Sequence, residues 1–185
     1  MNFLPKYFSE ISSGRLVKYL FYRCIMVFYK ILFISPLQII FLKLFGAEIG
    51  KNTIIEENCK FINLYVNGFK NLKIGNNVYI GPNCIFDLAN EIIIEDNVTL
   101  SANIFLNTHL NVGYSDHPLM KIYPRRDGKV ITKSGSFIGI NSTILNNSVI
   151  AENNMIAAYS LINFKTEKNS MYAGIPAKKI KTIEL

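Results

Sequence analysis

The sequence predicts an all-β fold, a parallel β-helix wound from six-residue repeats, with a helical segment ahead of it and a long loop extruded between coils. Three observations carry this. First, from Ile49 to Ile162 an aliphatic residue or Phe opens almost every block of six: Ile49, Ile55, Phe61, Ile74, Ile80, Phe86, Ile94, Leu100, Leu106, Ile138, Ile144, Ile150, Ile156 and Ile162. Second, Asn recurs in fourth place, at Asn52, Asn58, Asn77, Asn83, Asn97, Asn103, Asn141, Asn147 and Asn153. Third, the blocks come in threes, separated by insertions at 67–73, 92–93 and 112–137. A period of six fits neither an amphipathic helix nor a simple alternating strand. It fits one short strand plus one turn per block, stacked so that neighbouring coils bury each other's apolar row.

Taken in chain order, residues 1–46 differ in kind from the repeat region. The run 16–46 is apolar and aromatic with no six-residue register, and Lys18, Arg23 and Lys30 interrupt it. Pro36 predicts a break between two helices. The uncharged stretch Ile31–Leu42 is shorter than the roughly 20 residues that a membrane span needs. Three roles stay open for this segment: a cap on the first coil or a trimer contact without lipid, contact with a membrane interface, or a true transmembrane span. In the region 47–185, fourth-position Asn suits the left-handed backbone of sharp turns. First-position aliphatics stack inside, and fifth-position residues (Thr53, Cys59, Cys84, Val98, Ser142, Ser148, Ser160) fill narrower space. Three blocks make one coil of a triangular prism, about 18 residues, whose handedness the period leaves open. Residues 168–185 form a C-terminal tail.

Composition sets bounds. A chain of 185 residues suits one domain, and 18% charged with 50% hydrophobic residues excludes disorder. The net charge of +7 invites a polyanion, yet no nucleic-acid-binding module is present. Cys24, Cys59 and Cys84 have neither zinc-site nor disulfide spacing, which points to a reducing, cytoplasmic setting. No metal site is expected.

The segment from Ile49 onward resembles the left-handed β-helix (hexapeptide-repeat) acyltransferases. Beyond the repeat, Asn107-Thr108-His109 is similar to that family's Thr-His turn, and Phe137-Ile138-Gly139 to its Trp-Ile-Gly restart. Ala173-Gly174-Ile175-Pro176-Ala177-Lys178-Lys179 resembles its closing Gly-Asn-Pro-Ala-Lys element. The resemblance implies transfer of an acetyl group from acetyl-CoA by a homotrimer with sites between subunits. It also places the coenzyme along Gly139, Ile140, Ala157 and Ala158, with Lys165, Lys178 and Lys179 toward its phosphates. The chain departs from the pattern at 163–168, Asn-Phe-Lys-Thr-Glu-Lys, and at Ile175.

Acyl transfer to a hydroxyl needs a base for the hydroxyl proton and donors for the oxyanion. His109 is the expected catalytic base. It occupies the fourth position, where most blocks carry Asn, so its bland alternative is a turn residue in left-handed backbone. The oxyanion donor is expected from a backbone amide near Gly139. His117, in the extruded loop beside Asp116, is the rival base or an acceptor contact, and Arg125, Arg126 and Asp127 suit an anionic sugar or phosphate. Asn83 and Asp87 are expected to contact the acceptor. The apolar, basic N-terminus and the long loop resemble transferases that acetylate capsule, exopolysaccharide or lipopolysaccharide units. The expected activity is therefore sugar O-acetylation at the cytoplasmic face of the membrane, on a free or lipid-linked saccharide. Alternatives are N-acetylation of an amino sugar or sugar nucleotide, antibiotic acetylation, and a β-helix scaffold without catalysis. A zinc carbonic anhydrase on this coil needs three histidines, and the chain has two.

Overall fold

The computed structural model describes residues 12–185. Helix α1, Ser13–Ile31, and helix α2, Ser35–Leu44, come first, and Pro36 stands in the first turn of α2 where its missing N–H costs nothing. Short parallel strands then wind through three sheets. The first face holds Glu48–Ile49, Leu72–Ile74, Ile92–Ile94, Val130–Thr132 and Val149–Ile150. The second holds Ile54–Ile55, Tyr79–Ile80, Thr99–Leu100, Phe137–Ile138 and Met155–Ile156, then Ser170–Gly174 and Ala177–Thr182. The third holds Lys60–Ile62, Ile85–Asp87, Phe105–Leu106, Thr143–Ile144 and Leu161–Ile162. The tail 168–185 is thus a hairpin whose first strand extends the second face in parallel, Ile156 opposite Tyr172.

The two rules read from the repeat hold atom by atom. All fourteen block-opening residues named above are buried, Ile80, Phe86, Leu100 and Leu106 completely. All nine fourth-position Asn residues have positive φ, between 54° and 65°. Stacked side-chain amides add a ladder up one corner, with Asn52 donating to Asn77 and Asn77 to Asn97, both at 3.2 Å. On the first face Glu91 receives hydrogen bonds from Lys129 and Lys73, which hold its carboxyl below the ordinary range.

One boundary moves. The repeat resumes at Val130, not at Ile138, because Val130–Thr132 pairs with Ile92–Ile94 below and with Val149–Ile150 above. Thr132 opens this block where an aliphatic residue is the rule. It is completely buried, and its hydroxyl finds no hydrogen-bond partner. Gly135 takes the fourth place with φ 73°. The excursion from the coil is therefore short, about 111–129, and Ile92 and Ile93 lengthen a strand instead of bulging at a corner. The insertion at 67–73 begins at a corner, with a 3-10 turn over Gly68–Asn71, and then runs into a strand.

The helices close the open end of the first coil. Ile25, Tyr29 and Leu42 are buried in one cluster with Ile55, Phe61 and Phe69. Tyr29 meets the Phe61 ring edge-on at 5.5 Å, and the Ser35 hydroxyl accepts the Ile55 N–H at 2.8 Å. Among the described residues no helix is long and apolar enough to cross a membrane.

Candidate active site

At the corner between the third and first faces, three successive coils contribute four polar residues. The strand pairing sets Ile62 against Asp87 and Phe86 against Leu106, so Asn63, Asp87 and Thr108-His109 stand one above another. Asn63 donates to Asp87 Oδ1 at 2.6 Å, and Ala89 N–H to the same oxygen at 3.2 Å. Asp87 Oδ2 accepts the Thr108 N–H at 2.9 Å and lies 2.5 Å from His109 Nδ1. The Thr108 hydroxyl lies 2.7 Å from the Asp87 carbonyl oxygen and accepts the Asn90 N–H at 2.9 Å. Asp87 and Thr108 are wholly buried, whereas the His109 side chain keeps 23% of its exposure.

The electrostatics fix the tautomer. Burial alone raises the Asp87 carboxyl, but hydrogen bonds from His109, Asn63 and Thr108 outweigh it and leave the pKa below the usual carboxylate value. An ionised carboxylate only accepts, so His109 Nδ1 carries a proton toward it, and in the neutral imidazole Nε2 is the nitrogen that holds the lone pair. This corrects the expected role of Asp87: with both oxygens engaged and no exposure, it orients the imidazole and does not touch an acceptor.

His109 also departs from the turn-residue alternative. Its backbone is extended, in the strand His109–Leu110, which pairs antiparallel with Arg126–Asp127. The excursion thus leaves and re-enters the coil as a β-ribbon with His109 opposite Asp127. Gly128 re-enters tightly, since its N–H donates to Thr108 O at 2.8 Å and a Cβ there would meet Asn147 Oδ1 at 2.1 Å. Arg125 pairs with Asp127, Nε to Oδ1 at 2.9 Å, on the same ribbon. His117 caps the short turn Pro118–Lys121, its Nδ1 accepting the Leu119 N–H at 3.1 Å. That local task occupies one ring nitrogen and gives His117 no part in the buried pair.

The remaining expected site residues fall elsewhere. Asn83 is an exposed turn residue at the corner between the second and third faces, one strand away from His109. Gly139, Ile140, Ala157 and Ala158 share that same corner in consecutive coils. A Cβ on Gly139 would sit 2.5 Å from Ala158 N and 2.8 Å from Ile156 O, so glycine there is explained by coil stacking. The Gly139 N–H itself donates to Ile156 O at 2.8 Å, so an oxyanion donor near Gly139 would be a neighbouring amide. Lys165 bridges to Val149 on the first face, apart from these residues. Lys178 and Lys179 lie in the last strand, where Lys179 pairs with Glu167 at 2.6 Å. Among the described residues no cluster of side chains suited to a metal ion occurs. Sequence reasoning missed Asn63, whose signal was an Asn in third instead of fourth place.

No family model matches the sequence, and no curated protein matches it. Solved structures do. A hexapeptide-repeat-containing acetyltransferase from Vibrio cholerae, VCA0836, superposes with a TM-score of 0.80 at 14% identity, over 94% of each chain. A maltose O-acetyltransferase from Clostridium difficile 630 gives 0.74 at 21% identity, over 94% of this chain and 90% of its own. AntD, an N-acyltransferase from Bacillus cereus solved as a point mutant with dTDP and coenzyme A, gives 0.60 at 24% identity, over 77% and 87%. At these identities the likeness speaks to the fold.

Proposed function

We propose that the chain is an acetyl-CoA-dependent O-acetyltransferase acting on a sugar hydroxyl of a surface polysaccharide or its lipid-linked unit. In this reading the coil winds left-handed and three copies associate with the sites between them. The observation that carries it is the Asp87–His109 pair: a wholly buried carboxylate 2.5 Å from Nδ1 of an imidazole that is itself reachable. Such a pair presents Nε2 as a general base in fixed orientation. The acceptor hydroxyl oxygen attacks the thioester carbonyl carbon while Nε2 takes its proton. The carbon–sulfur bond then breaks, and the departing sulfur receives that proton from Nε2–H. Asp87 stays ionised throughout and steadies the imidazolium between the two transfers. No covalent acyl-enzyme is needed.

A maltose O-acetyltransferase among the similar structures supports a sugar hydroxyl as the acceptor, and AntD, an N-acyltransferase, keeps amine acylation as the second reading. Calorimetric titration with acetyl-CoA tests the reading without knowledge of the acceptor. Saturable binding near one site per chain is expected, followed by coenzyme A release with a saccharide acceptor in wild type and its loss in His109→Ala. A folded protein that does not bind acetyl-CoA would sink the proposal and leave a scaffold.

A further inference from the structure

Helices α1 and α2 turn one face onto the first coil and leave the other uncovered. On α1, Val17, Phe21, Cys24, Phe28 and Ile31 succeed one another at steps of four and three residues and are all exposed. Leu37, Ile40 and Leu44 are likewise exposed on α2, and Phe33, at 86% exposure, stands between the helices. A soluble domain seldom leaves so much contiguous apolar surface without a partner. Between the helices the surface deepens into an apolar cavity of about 380 Å³, lined by Ile25, Phe28, Ile31, Leu32, Phe41 and Phe45. That volume falls in the range of roughly 300–1,000 Å³ typical of small-ligand sites, and nothing in its lining would hold a polar group.

Charge selects the occupant. From Ser12 to Gly46 the basic residues are Arg15, Lys18, Arg23, Lys30 and Lys43, and there is no Asp or Glu. Arg23 and Lys30, seven residues apart and both exposed, lie together along one edge of the exposed apolar stripe of α1, as in helices that lie in a bilayer interface with cations at the headgroup level. A second copy laid face to face here would set like charges against one another. Neither helix is long and apolar enough to cross. We infer that this helical pair is a peripheral anchor for an anionic lipid surface, with the cavity between α1 and α2 admitting an acyl chain. The anchor is independent of the proposed chemistry, since it lies at the end of the coil and shares no residue with the Asp87–His109 pair.

The chain contains no Trp, so Phe28→Trp supplies a single fluorescent reporter at the cavity wall. The full-length protein would be mixed with vesicles of phosphatidylcholine alone and of phosphatidylcholine with phosphatidylglycerol in equal parts. Expected are sedimentation with the anionic vesicles, a blue shift of the indole emission, and quenching by lipids brominated on the acyl chain. Reversing Arg23 and Lys30 to Glu should weaken that binding by at least about fivefold per residue, and added salt should act the same way. Phe28→Glu, at an exposed position, should abolish the binding while the melting temperature stays unchanged. Wild-type protein left in the supernatant with both vesicle types would overturn the inference. So would a Phe28→Glu variant that binds vesicles normally but falls to a smaller oligomer in sedimentation velocity, because the face would then belong to another copy of the chain.

Discussion

Replacing Asp87 by Asn tests the site most sharply, because it keeps the volume and alters only the donors and acceptors that the two side-chain atoms offer. In the native corner Oδ1 accepts from Asn63 and Ala89 N–H, while Oδ2 accepts from Thr108 N–H and faces His109 Nδ1. An amide has one acceptor end. If its oxygen stays with Asn63 and Ala89, its NH2 points at the Thr108 N–H and at His109 Nδ1. The Thr108 amide is then buried without an acceptor, at a cost of about 1–3 kcal/mol. His109 must present a lone pair at Nδ1, which moves its proton to Nε2 and removes the base. In other His–Asp pairs the wrong tautomer lowers kcat about 10⁴-fold, and a loss of about 10³–10⁴-fold is expected here with KM for acetyl-CoA little changed. The opposite amide orientation sets NH2 against two donors and is no better. With only two histidines in the chain, nitrogen NMR of the imidazoles resolves His109 directly and needs no acceptor. Wild type should show Nδ1–H and Asp87→Asn should show Nε2–H. An Nε2–H wild type, or a variant retaining kcat within about threefold, would refute the assignment of base and orienter.

Three further outcomes are expected from the same geometry. The Asp87 carboxyl lies below its ordinary value when folded, so its stabilisation is complete above the unfolded value and is lost as pH falls through the folded one; acid denaturation below about pH 4 should be steeper in wild type than in Asp87→Asn. Thr132→Val removes a buried hydroxyl without a partner at constant shape, and urea unfolding should show a gain of about 1 kcal/mol. Gly139→Ala forces a Cβ to within 2.5 Å of Ala158 N, and the same titration should show a loss of about 1–3 kcal/mol.

The architecture was legible because the repeat is written in residue types with single physical meanings. Aliphatic residues that open successive blocks of six form the interior row, and an Asn in fourth place declares a left-handed turn. Where a residue broke its type, legibility failed. Thr132 stands in the interior row with a hydroxyl, so the coil looked interrupted through 137 although it had resumed at Val130. Tyr159 takes the fourth-position turn with φ 56°, a conformation that its side chain does not advertise. The break at Pro36 was readable because proline has one effect on a helix. Which face of each helix the coil would cover was not, because apolar residues line both.

The site was half legible for a different reason. His109 was visible as an exception to the Asn rule, but the rule itself misplaced its backbone. A fourth-position residue in the left-handed region would stay in the corner with the Asn ladder. His109 instead extends, because the chain leaves the coil there and pairs with Arg126–Asp127. That exit turns Nδ1 back onto Asp87. The partner could not be read from spacing along the chain, since Asp87 and His109 lie 22 residues apart and the insertion at 92–93 breaks the simple coil count. It could be read only by stacking coils, which in a β-helix lie about 4.8 Å apart, close enough that Asn63, Asp87 and Thr108-His109 form one hydrogen-bonded column. Catalytic function in such a fold is then expected where the column and the departure coincide. The column holds a charge buried, and the departure frees one imidazole nitrogen to face outward.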